Sequence, residues 1–95
     1  MTREPVLFQT GDIRISRRCL QVLGAINLHP LSLIVRHEVG DWGDLDDGQR
    51  AANVEALAVR NTIVSRYRPA EGIDLWVITQ DDRERTWILL SDEGW

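Results

Sequence analysis

The spacing of apolar residues changes its period once along this chain, near residue 61. Before that point they recur every three or four residues: Cys19, Leu20, Leu23 and Ile26, then Leu31, Ile34 and Val35 with Glu38, then Ala51, Val54, Leu57 and Ala58. After it they alternate, with Ile63, Ser65 and Tyr67 on one side and Val64, Arg66 and Arg68 on the other. The first spacing is that of amphipathic helices and the second that of strands. One such change within 95 residues leaves room for one domain with one core. The expectation is an α+β fold over residues 1–95, with a helical part at about 16–60 and a β-meander at about 62–90. Its architecture would be two or three helices packed on a three- to four-stranded antiparallel meander.

Local signals set the boundaries. Ser16 is placed to N-cap a first helix that ends near Gly24–Asn27. Pro30 suits the first position of a second helix, which runs to about Glu38 and is stopped by Gly40. Asp46 and Gln49 have the spacing of a capping box and start a third helix, which leaves near Asn61. Asn53 lies inside that helix with no propensity reason to be there. Two β-prone segments follow, Ile73–Gln80 and Glu84–Leu90, set off by turns at residues 69–72 and at Asp81-Asp82. Both are apolar on both faces, so they should be central or have their second face hidden by a partner or by the N-terminal segment. That segment, with Phe8, Ile13 and Ile15 around Thr10-Gly11-Asp12, reads as a short strand or hairpin. Trp95 is expected to fold back onto the core or to sit in a partner.

Charge and composition narrow the function classes. Net charge is −4, which opposes simple non-specific DNA binding by phosphate neutralisation. All 11 basic residues are Arg, a pattern that genome composition explains and that bidentate anion contacts would also use. The single cysteine, Cys19, excludes an internal disulfide and a multi-cysteine zinc site, and its place on an apolar helical face marks it as core. No apolar run approaches the roughly 20 residues of a membrane span, and the N-terminus lacks the pattern of a signal peptide. A cytoplasmic protein without membrane contact is expected.

The stretch His37–Gln49, HEVGDWGDLDDGQ, concentrates the chemistry-bearing residues. As a loop it would be held by Gly40 and Gly43, plugged by Trp42 and braced by the carboxylates of Asp41 and Asp44. As a docking surface it would offer Asp41, Trp42, Asp44, Asp46 and Asp47 to a basic protein partner. As a metal site it would use His37, Asp41 and Asp44 as hard-cation ligands, because His37 and Asp41 straddle a helix end. An EF-hand register from Asp44 fails at Gly48 and Gln49. A second cluster, Arg66, Arg68, Arg83 and Arg85, is a candidate anion or nucleic-acid patch, with Tyr67 or Trp87 stacking. Acidic residues nearby, Glu71, Asp74 and Asp82, offer these arginines ordinary ion pairs. No P-loop, dinucleotide fingerprint or nucleophile elbow is present, and no cofactor is implied.

Taken together, His37, the string Gly40-Asp41-Trp42-Gly43-Asp44-Leu45, Asn53, Ser65 and Tyr67, residues 75–79, Asp82-Arg83 and residues 88–90 resemble a family of small uncharacterised bacterial proteins. These belong to plasmids, prophages and other mobile regions and are labelled plasmid-related protein or type I restriction modification subunit. The resemblance spans Pro30 to Leu90, and Gln80, Arg85 and Ser91 depart from its pattern. A methyltransferase cofactor fold needs several βα units, more than this chain holds, so the restriction label is set aside.

The resemblance implies a protein of mobile DNA that works by binding. The favoured expectation is a non-enzymatic interaction protein that engages a protein partner through loop 40–47, for example as an inhibitor of a host defence complex. The alternatives are a metal-dependent hydrolase or nuclease using His37, Asp41 and Asp44, with Asn53 positioning substrate, and a nucleic-acid accessory protein using the Arg-bearing strands. A homodimer would account for strands that are apolar on both faces.

Overall fold

The computed structural model describes residues 5–93, so the expectation for Trp95 falls outside it. The elements in order are β1 (Asp12–Ile15), α1 (Arg17–Ala25), α2 (Pro30–Glu38), α3 (Asp47–Val59), β2 (Ile63–Ala70), β3 (Ile73–Thr79) and β4 (Arg85–Leu90). The α+β class is as expected. All three helix starts fall at the caps read from the sequence: Ser16 accepts from the Cys19 amide, Pro30 opens α2, and the Asp46–Gln49 capping box is complete. His29 caps α2 by accepting from the Leu31 amide at 3.1 Å.

The sheet departs from the expected antiparallel meander. It is mixed, with strand order β1-β4-β3-β2, and β1 lies parallel to β4. The reason is at the β1–α1 junction. The chain passes from β1 straight into α1, whose cap residue is tied to the far end of β4: the Ser16 amide donates to Ile88 O at 3.2 Å, and its hydroxyl donates to the Glu93 carboxylate at 2.7 Å. Parallel pairing then sets Ile13 opposite Thr86 and Ile15 opposite Ile88, on the face that the helices cover.

That covered face carries the core. Ile63, Ser65 and Tyr67 of β2, Leu75, Val77 and Thr79 of β3, and Thr86, Ile88 and Leu90 of β4 point the same way and are buried. Cys19 and Leu23 of α1 and Leu33 and Ile34 of α2 pack on them. A smaller cluster joins Phe8, Trp42, Leu45, Ala56 and Ile63. Cys19 is fully buried, and burial pushes its thiol up to about 11.

The helical stripes read from the sequence need correction. Leu20, Leu31, Val35 and Val54 are about half exposed or more, and Ala51 and Ala58 are exposed as well. The faces that turn inward are Cys19–Leu23, Leu33–Ile34–His37 and Asn53–Ala56. Polar His37 and Asn53 go inside because backbone and hydroxyl partners await them there, which outweighs the pull of a slightly more apolar neighbouring stripe.

On the opposite sheet face, α3 and Leu45 reach only the β2 edge, where Gln49, Ala52 and Leu45 share a hollow with Val64 and Trp76. That face carries Trp76 and Ile78 of β3 and Trp87 and Leu89 of β4, with Arg14, Arg66 and Arg68 around them. Ile78 and Leu89 are buried, and the Arg66 guanidinium lies 5.2 Å from the centre of the Trp76 ring. Phe8 packs in the smaller cluster with Trp42, Leu45, Ala56 and Ile63, and Trp76 borders that cluster. No single helix among the described residues is long and apolar enough to cross a membrane; α1 and α2 reach that length only as a pair bent by 102°.

Candidate functional site

Loop 40–47 is built against the outer edge of β2. An edge strand leaves backbone groups unpaired unless something covers them. Here the Arg66 amide donates to Trp42 O at 3.0 Å and Arg66 O accepts from the Asp44 amide at 2.7 Å, so the loop pairs like a one-residue strand. One step along the edge, Asn53 Nδ2 donates to Val64 O at 2.7 Å and its Oδ1 accepts from the Val64 amide at 3.1 Å. Gly43 makes the close approach feasible. Its φ is +75°, and a Cβ there would collide with the Arg66 carbonyl and the Tyr67 ring.

The loop's own side chains are largely engaged by this arrangement. Trp42 is only 5% exposed, so the indole is a plug and is withdrawn from the docking surface proposed for it. The Tyr67 hydroxyl donates to Asp41 O at 2.6 Å, and burial pushes that phenol up to about 12. Arg36 forms a bidentate pair with Asp41 at 2.7 and 3.1 Å while lying 4.5 Å above the Tyr67 ring. The guanidinium hydrogen bonds hold the Asp41 carboxyl below its ordinary range. Asp46 caps α3, and Asp44 has a long contact with Arg68 at 3.9 Å. Asp47 stays exposed in the first turn of α3.

The expected metal site of His37, Asp41 and Asp44 is not assembled. His37 points into the core and is fully buried, while Asp41 and Asp44 are exposed. Among the described residues no group of His, Cys, Asp and Glu converges as metal ligands would. The helix end that brought His37 and Asp41 together in sequence turns them to opposite sides.

His37 instead sits in a buried row of hydroxyls. Nδ1 is 2.6 Å from Ser65 Oγ, Nε2 is 2.9 Å from Thr79 Oγ1, Thr79 Oγ1 is 2.6 Å from Thr86 Oγ1, and Thr86 donates to Thr10 O at 2.7 Å. The carbonyl at the end can only accept, and this fixes the protons along the row. Thr86 donates to Thr10, so Thr79 donates to Thr86, so His37 donates from Nε2 to Thr79; in the neutral ring Nδ1 then accepts from Ser65. The row requires a proton on Nε2. Burial and the charge of Arg83 keep the ring neutral, lowering the imidazole to about 3. The arrangement braces α2 on the sheet and leaves no ring nitrogen for a ligand.

The four arginines do not form one patch. Arg66 forms a bidentate pair with Asp74 at 2.9 and 2.6 Å, and Arg68 lies 3.7 Å from the same carboxylate. Arg83 is buried and donates to Ala56 O, Asn61 O and Gln80 O, closing the end of α3. Burial lowers its pKa, consistent with a cation held by carbonyls. Arg85 has neither an ion pair nor a side-chain hydrogen bond among the described residues, and its Nε is buried without a partner.

Sequence reasoning missed the outer face of α3. Only Asn53 and Ala56 of its 13 residues are buried. Asp47, Ala51, Val54 and Ala58 fall at i, i+4, i+7 and i+11 and share one solvent-facing stripe, with Val54 at 60% exposure and neighbouring Val59 at 56%. The signal was present as Asn53, whose burial turns the apolar stripe outward.

No family model, curated protein or solved structure matches this chain.

Proposed function

We propose that this is a small non-enzymatic interaction protein of the mobile-element type, working in the cytoplasm by docking a protein partner. The carrying observation is the outward stripe Asp47-Ala51-Val54-Ala58 on α3. Burying apolar side chains drives association, and isolated exposed Val side chains are ordinary whereas a continuous helical stripe is not. Asp47 and Glu55 border the stripe and have no ion pair among the described residues, while Arg50 is drawn back to Gly43 O and Arg60 to Asp82 O. The surface is therefore apolar along its centre and acidic at its margin. Its complement is an amphipathic helix with basic flanks on another protein. This relocates docking from the whole acidic loop to α3, with Asp47 as the part of loop 40–47 that still serves it. Inhibition of a host defence complex is the concrete form that the size and the resemblance suggest.

The test places a photo-crosslinking amino acid at position 54, and as a control at position 31 on α2, in the native host. An adduct from position 54 with a segment carrying basic and apolar residues at helical spacing, lost on Asp47→Arg/Glu55→Arg, supports the reading. Self-crosslinking at position 54 makes the stripe a homodimer face, and adducts from position 31 alone move docking to α2. Either result, or no adduct at all, overturns it.

A further inference from the structure

The sheet face away from the main core holds a hollow of about 410 Å³ bordered by Thr62, Ile78, Gln80, Asp81, Asp82 and Trp87. That volume is within the ~300–1,000 Å³ of small-molecule sites. Its lining combines one aromatic wall with groups that donate and accept hydrogen bonds. Arg85 adjoins it: the Gln80 amide donates to Arg85 O at 3.0 Å, and residues opposed across a hairpin present their side chains on the same face. Arg85 also lies two residues before Trp87 on β4, and Arg14 is opposite Trp87 on β1. The Arg85 guanidinium has no carboxylate at ion-pair distance among the described residues; its Nε is closed off, but its terminal nitrogens are not and make no hydrogen bond there. An incoming anion would meet those terminal nitrogens through charge-assisted hydrogen bonds.

We propose that this hollow binds a free mononucleotide, independently of the docking stripe on α3. The base lies against the Trp87 indole, the phosphate meets Arg85 with Arg14 beyond it, and an exocyclic amine donates to the Asp81 or Asp82 carboxylate. Asp82 Oδ1 already accepts from the Glu84 amide at 2.9 Å, which fixes the carboxylate and leaves Oδ2 for the ligand. A free nucleotide suits the site better than a strand. Trp76, the other indole on this face among the described residues, is already stacked by Arg66, and the hairpin carboxylates would repel the next phosphates of a chain.

AMP, CMP and UMP are titrated at low salt into isotope-labelled protein, with amide shifts and calorimetry as readouts. AMP or CMP should shift the amides of residues 80–87, and UMP, which lacks the exocyclic amine, should bind at least about tenfold more weakly. Arg85→Gln should weaken AMP or CMP by about tenfold or more with an unchanged amide spectrum elsewhere. Trp87→Leu should abolish binding; if it does not fold, Arg85→Gln decides alone. No shift at millimolar nucleotide, equal affinity for UMP, or binding indifferent to Arg85→Gln overturns the proposal. So does tighter binding of oligodeoxynucleotides that grows with their length, which would mark a single-strand surface.

Discussion

The Asn53 side chain makes to Val64 the two hydrogen bonds that a neighbouring strand would make, donating to its carbonyl at 2.7 Å and accepting from its amide at 3.1 Å. An amide is suited to this because it carries a donor and an acceptor on one planar group. Asn53→Ala is expected to destabilise the fold by about 2–4 kcal/mol, since it leaves both backbone groups unpaired at a half-buried edge. Asn53→Asp keeps the acceptor but sets a carboxylate oxygen against the Val64 carbonyl, so it should cost at least as much as Asn53→Ala. Urea unfolding measures the loss, and faster hydrogen exchange at the Val64 amide locates it. Equal stability of Asn53→Ala and the parent would refute the role.

Gly43 is the second requirement of the same edge. Gly43→Ala places a Cβ against the Arg66 carbonyl at a positive φ, so the Asp44–Arg66 bond must open. A loss of about 2 kcal/mol or more is expected, from backbone strain and a broken pairing together. Gly72 is the control, with φ +79 and open space around its Cβ. Gly72→Ala should cost only the strain, about 1 kcal/mol. Comparable losses at the two positions would sink the argument from crowding.

His37 gives a pH signature. Burial holds its imidazole at about 3 in the folded chain, against 6.5 for the free group. The unfolded chain therefore takes up the extra proton between those values. Its contribution is intact above about pH 6.5 and is lost as pH falls toward 3, by about 1.4 kcal/mol per pH unit. Asp41, Asp74 and Asp92, held low by arginine partners, also lose stabilisation in acid, but His37→Gln leaves them in place. The stability difference between parent and His37→Gln should shrink from pH 7 to pH 4. A difference independent of pH would mean that His37 is charged in the fold.

Arg83 is expected to act on stability and not on anions. Arg83→Leu leaves the carbonyls of Ala56, Asn61 and Gln80 without the donor they share. About 2–4 kcal/mol should be lost, with the last turn of α3 exchanging its amides first. Calorimetric phosphate binding that disappears in Arg83→Leu while its stability is unchanged would restore the anion reading.

Val54→Asp bears on the docking stripe. Because Val54 faces solvent, the change should alter stability by no more than about 0.5 kcal/mol while removing the crosslinked partner. A large loss of stability would show that the side chain belongs to the core.

The sequence by itself determined the change from helical to strand period, the three helix starts and the shared face of Ile63, Ser65 and Tyr67. These depend on residues within a few positions of one another, where cap hydrogen bonds and side-chain period act directly. It also showed Gly40 to Leu45 as a constrained loop and left open what the constraint serves. Tertiary structure decided the rest. It set β1 parallel to β4 through Ser16 and Glu93, residues 77 positions apart. It turned His37 away from Asp41 and Asp44 toward Ser65 and Thr79, and it turned Asn53 inward so that Ala51, Val54 and Ala58 face water. The physical reason is common to these cases. A buried polar group settles where its hydrogen-bond partners are, and those partners come from distant strands that no local pattern specifies.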